Sequence, residues 1–166
     1  MKSLATSKPA SERFKSVSLH SLELLERSLP KIQLNLKAAL NMPVPLQPCI
    51  RDIWSDHVLF QGNQVSGIID LAAAKSDVVA ADLARLLGSM LGDDKQRWDV
   101  AIDEYQKHRS LNANEWALIQ VFDQANVLLN SVTWIRRYYL EEQRTVDNAR
   151  VLGRLEIGLQ RMQAML

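Results

Sequence analysis

The sequence predicts a mainly α domain that carries one small β-hairpin. Two patterns point there. Apolar residues recur at three- and four-residue steps over most of the chain, and only the stretch 49–71 has strand character. Composition sets the class. Of 166 residues, 47% are hydrophobic and 23% charged, which supplies a core and leaves too little polarity for a disordered chain. That length holds one domain, or two very small ones.

In order, residues 1–16 are rich in Ser, Lys, Ala and Thr and are expected as a flexible lead-in. Leu22, Leu25, Leu29, Ile32, Leu36 and Leu40 then follow the helical period. Pro30 falls inside this pattern and either kinks one helix or separates two, with Ser28 available to cap the second piece. The segment 41–48 has three prolines in eight residues and is expected as an extended connection. Val58-Leu59-Phe60 and 65–69 flank the turn Gln61-Gly62-Asn63-Gln64, which predicts a hairpin with Asp70 just past its second arm. Everything afterwards reads as helix: Ala80 to Met90 stopped near Gly92, Lys95 to His108, Asn114 to Leu140, and a closing seam of Leu152, Leu155, Leu159, Met162 and Leu166.

Several function classes are disfavoured at once. Twenty Lys and Arg against nineteen Asp and Glu leave a formal charge of +1, with no basic run to bind nucleic acid or an anionic membrane. The single Cys49 excludes an internal disulfide. No apolar run approaches the roughly 20 residues that span a bilayer. The first residues lack the apolar stretch of a secretory signal. A soluble cytoplasmic domain is expected.

The densest group of reactive side chains runs from Cys49 to Phe60 and includes Arg51, Asp52, Asp56 and His57. Asp52 and His57 are five residues apart, and Asp70 follows His57 by thirteen, across the hairpin. A hairpin that folds back brings its two ends together, so the loop before it and Asp70 after it can face one site. A carboxylate and a second ligand at the base of a hairpin suit Mg²⁺, and a carboxylate at the start of the loop can then accept a proton from a hydroxyl nucleophile. The plainer expectations are that Asp52 caps a turn or pairs with Arg51, that the His57 ring packs beside Trp54, and that Cys49 is a small buried residue.

The run Arg51-Asp52, four residues, His57-Val58-Leu59-Phe60, a Gly-containing turn, then Gly67-Ile68-Ile69-Asp70 resembles the aminoglycoside phosphotransferase and choline kinase family. The family pattern there is His-Gly-Asp, four residues, Asn, a hydrophobic strand, a turn and an Ile-Asp pair. The run from Asp77 through Asp82-Leu83-Ala84-Arg85 is similar to the family's Asp-Pro-x-x-x-Asp-Leu-Ala stretch. The resemblance implies the helical C-terminal lobe of a kinase-like fold over 17–166, with catalytic and metal loops at 49–71 and a helical remainder at 78–166. It implies that Asp52 takes the catalytic-base position, Asp70 that of the metal-binding Asp, and His57 that of the metal-binding Asn. Asp82 would be the structural Asp opening the following helix, with Arg51 beside the loop. Mg²⁺ or Mn²⁺ with ATP or GTP, and a small hydroxyl-bearing substrate, come with that assignment.

The chain departs from the pattern with Ile50 for His, Arg51 for Gly and His57 for Asn. No Gly-rich loop and no phosphate-holding Lys strand precede residue 48, the first glycine being Gly62. The N-lobe is therefore expected to be absent. The expected function is that of the C-terminal lobe of a small-molecule phosphotransferase, truncated and inactive without the missing N-lobe or a partner chain. The alternative is a degenerate kinase-like lobe acting as a pseudoenzyme or partner-binding domain.

Overall fold

The computed structural model describes residues 12–140 and 148–166. The elements are α1 (Glu12–Ala39), β1 (Gln47–Cys49), β2 (Val58–Gln61), β3 (Gln64–Ile68), β4 (Lys75–Asp77), α2 (Val79–Leu91), α3 (Lys95–Gln106), α4 (Ala113–Tyr139) and α5 (Asn148–Ala164). The mainly α character is as expected. Contacts divide the chain into two compact units, one of residues 32–126 and the other of residues 1–31 with 127–166.

The unit 32–126 is built on α2. Val79, Ala80, Leu83, Ala84 and Leu87 are buried along one stripe and share a core with Cys49, Trp98, Ile102, Leu118 and Ile119. Each Leu or Ile so buried contributes about 1.5–3 kcal/mol. The helix stops at Gly92, whose φ of 57° lies in the left-handed region that glycine enters without cost. The Trp98 indole N–H donates to the Gly92 carbonyl at 2.9 Å, which ties α3 to that stop. Asp94 caps α3 by accepting from the Arg97 N–H.

The expected hairpin is present. β2 and β3 pair antiparallel, Val58 opposite Ile68 and Gln61 opposite Gln64, with a bulge between Leu59 and Phe60. A second ladder departs from the sequence reading. The stretch 41–48 is expected as a connection, yet Gln47–Cys49 pairs antiparallel with Lys75–Asp77. Each strand is three residues long and Pro48 sits in the middle of β1, so neither alternation nor propensity marks it. A two-stranded ladder has only edges, and an edge tolerates proline.

α1 runs unbroken from Glu12 to Ala39 with Pro30 inside it, so Ser28 lies mid-helix and caps nothing. Its first residues fall within the stretch expected as a lead-in; residues 1–11 lie outside the described residues. In the other unit, the Phe14 ring stacks on Tyr138 with centroids 3.8 Å apart, beside Val151 and Leu155. The guanidinium groups of Arg137 and Arg154 lie over Trp134 at 5.4 and 4.9 Å. Leu155 and Met162 of the expected seam are fully buried. Gly158 admits a close approach, because a Cβ there would meet the Ser131 Oγ at 2.5 Å. Among the described residues, no helix is long and apolar enough to cross a membrane.

Candidate active site

The loop between β1 and β2 is held by one face of α2. Asp82, in the first turn of α2, accepts from the backbone N–H of Ile50 and of Arg51, each at 2.7 Å. It therefore caps the loop rather than its own helix, whose first residues follow Val78 without a side-chain cap. One turn on, Arg85 forms an ion pair with the Asp52 carboxylate. One turn further, the Ser89 hydroxyl accepts from the Ser55 N–H at 2.8 Å and donates to the Leu86 carbonyl. Positions 82, 85 and 89 follow the helical period, so a single face fixes three points of the loop.

Two non-glycine residues of the site adopt left-handed backbone: Arg51 at φ 67° and Asp70 at φ 61°. Such a conformation costs a residue with a Cβ about 1–2 kcal/mol. At Arg51 the carboxylate of Asp82 compensates by accepting from the residue's own amide and from that of Ile50. The Arg51 side chain pairs with Asp77 at 2.8 Å, not with Asp52 as the plainer expectation had it. Left-handed backbone at this position also accounts for glycine in the pattern that the sequence resembles.

Asp52, His57 and Asp70 come together. One ligand atom from each lies within 4.8 Å of the others, which makes them a group able to hold a metal ion. The hairpin register does this: the Ile69 N–H donates to the His57 carbonyl at 3.0 Å, which sets Asp70 beside the ring. The His57 side chain is only 12% exposed, against 57% for Asp70 and 44% for Asp52. Its ring has two partners. The Trp54 indole N–H donates to Nε2 at 2.7 Å, and Nδ1 lies 2.7 Å from the Asp52 carbonyl. An indole N–H can only donate, so Nε2 is the acceptor, and Nδ1–H donates to the backbone carbonyl of Asp52. The Asp70 carboxylate is 3.8 Å from Nε2, too far for a hydrogen bond.

Two carboxylates and an imidazole fit a divalent cation by donor type, the oxygens suiting Mg²⁺ and the nitrogen suiting softer ions. Cys49 lies outside this group. It is buried, its thiol contacts the Asp77 carbonyl at 3.4 Å, and burial raises its pKa, so it behaves as a packed residue and not as a nucleophile.

The model of the phosphotransferase enzyme family matches residues 8–122, more than half of the chain. The chain belongs to this family. Among curated proteins, this phosphotransferase-family chain is 28% identical over 98 residues to a homoserine kinase of Rhizobium etli (strain CIAT 652). The matched region is 56% of the chain and 30% of the kinase, so the chain spans about a third of that relative's length. No solved structure matches the chain significantly.

The role of Arg85 in this family member was missed from the sequence, although the residue sits within a motif singled out there. The available signal was its position three residues after Asp82 on one helix, which places both on the same face. Ser89 carried no signal, since a lone serine on an apolar helix marks nothing.

Proposed function

We propose that the chain is the C-terminal lobe of a small-molecule kinase that transfers the γ-phosphate of ATP or GTP to a substrate hydroxyl. The observation that carries this reading is the meeting of Asp52, His57 and Asp70 within 4.8 Å, at the base of a hairpin in a phosphotransferase-family chain. Asp52 orients the hydroxyl and takes its proton as the new bond to the γ-phosphorus forms and the bond to the bridging oxygen breaks, releasing the nucleoside diphosphate. Arg85 fixes the direction of that carboxylate, and Asp82 fixes the backbone that carries it. Asp70, with His57 beside it, stands at the metal position. A divalent cation bound there would neutralise charge on the nucleotide phosphates.

Positioning and charge, more than covalent chemistry, carry phosphoryl transfer, which suits a site whose residues are held from several directions. The likeness to a homoserine kinase favours a small hydroxyl-bearing metabolite as the acceptor. A nucleotide cleft needs a second wall. The hairpin side chains Leu59, Phe60, Val65 and Ile68 are exposed, as a surface awaiting an N-lobe or partner chain would be. ATP-dependent chemistry of this kind suits the cytoplasm.

A second reading, a degenerate lobe that binds a partner and does no chemistry, draws on Arg85, which already engages Asp52, and on His57 in the place of the family's Asn. Calorimetric titration of the purified chain with Mg²⁺ separates the two. One weak site is expected, lost in Asp70→Asn and kept in Asp56→Asn, whose carboxylate is outside the group. Mg²⁺ binding that is indifferent to Asp70→Asn overturns the kinase reading.

A further inference from the structure

We propose that Trp54 determines which cation this site accepts, by occupying Nε2 of His57 and withholding the imidazole from the metal. The proposal rests on the reading of the Asp52 and Asp70 carboxylates, with His57 beside them, as a divalent-cation site. The 3₁₀ turn Ser55–His57 sets it up, with the His57 N–H donating to the Trp54 carbonyl at 2.9 Å. Residues three apart eclipse in a 3₁₀ turn, so the Trp54 and His57 rings meet, edge to face, with centroids 5.2 Å apart at 67°.

The consequence is a ring with no free lone pair. Nε2 accepts from the indole and Nδ1 donates to the Asp52 carbonyl, both at 2.7 Å. A largely buried ring held at both ends cannot turn toward a cation without breaking a hydrogen bond. With the imidazole withheld, the donors facing the site are carboxylate oxygens, the set that Mg²⁺ prefers. Imidazole would move preference toward Zn²⁺ and its neighbours. Trp54 thus acts through His57 as a positioning residue, and it keeps an oxygen-ligand site beside a histidine.

Trp54→Phe removes the donor and keeps an aromatic ring. The net worth of one hydrogen bond sets the expected effect: Zn²⁺ affinity rises roughly fivefold to tenfold, while Mg²⁺ affinity is unchanged. Titration calorimetry on the full chain reads both ions, and Trp54→Phe combined with His57→Gln should abolish the gain. In the wild type, ¹⁵N–¹H spectra should show His57 protonated on Nδ1, and the Trp54 indole resonance should stay in place when one equivalent of Zn²⁺ is added. That spectrum decides the matter even where the variant fails to fold. Zn²⁺ binding no tighter in Trp54→Phe than in the wild type overturns the proposal. So does a wild-type spectrum in which Zn²⁺ takes Nε2 and releases the indole. An Mg²⁺ site untouched by Asp70→Asn would defeat the kinase reading alone, because the gain in Zn²⁺ affinity is measured independently of it.

Discussion

Asp82 accepts from the amides of two consecutive residues, one of them in left-handed backbone. Hydrogen bonds to an ionised acceptor are stronger than neutral ones, and these two hold a conformation the chain would otherwise leave. Asp82→Ala is expected to lower stability by about 2–4 kcal/mol in urea denaturation. Asp56→Ala, at an exposed position of the same loop, should change it by less than about 0.5 kcal/mol. Equal effects from the two would remove Asp82 from its anchoring role. Three side chains of the site, Asp52, His57 and Asp70, were legible in the sequence because their spacing around a hairpin is local. Trp54 was legible as a neighbour of the His57 ring, which it is, but not as its hydrogen-bond donor, and Arg85 was not legible as the partner of Asp52. The three-residue step from Asp82 puts Arg85 on the same helix face but does not say which loop side chain it meets, and the bond from the indole to Nε2 depends on the geometry of a single 3₁₀ turn.

At the scale of elements, α4 opens on a reciprocal cap. The Asn112 side chain accepts from the Glu115 N–H at 2.9 Å, and Glu115 accepts from the Asn112 N–H at 3.0 Å. Arg109 donates to the other Glu115 oxygen at 2.5 Å. Burial pushes the Glu115 carboxyl up, but the hydrogen bonds from Arg109 and the Asn112 amide outweigh it, and its pKa lies below the ordinary value. A carboxyl whose folded pKa is depressed contributes stability that is fully present above the unfolded pKa of about 4.3, and loses it as pH falls through the folded value. Thermal melts of wild type and Glu115→Gln should therefore differ most near neutral pH and converge in acid. A gap that is constant with pH would contradict the assignment. Helices α2 to α5 were legible in the sequence to within a few residues, since periodicity and the stop at Gly92 are written locally, whereas α1 begins inside the expected lead-in and runs through Pro30. The β1–β4 ladder was not, because strands of three residues around Pro48 pair only where the helix and the loop bring them together.

At the scale of the molecule, the groups that position the site lie between Gln47 and Ser89, inside the unit 32–126. Nothing in that stretch supplies a Gly-rich loop for a nucleotide, and the hairpin leaves Leu59, Phe60, Val65 and Ile68 exposed. The chain alone is therefore expected to give no nucleotide-dependent turnover. ATP or GTP with a panel of hydroxy-amino acids, amino-sugars and choline would measure it, and turnover that disappears in Asp52→Ala would refute it. The face of α2 that carries Asp82, Arg85 and Ser89 has a further consequence for how such a loop is inherited. Removing one residue of α2 between Asp82 and Ser89 turns the remainder of the helix by about 100°, enough to carry Arg85, Ser89 or both away from the loop. Substitutions along that face can be tried one at a time, but changes of length cannot. Loop and helix thus form a cassette that lineages or engineers can transplant whole and cannot splice internally.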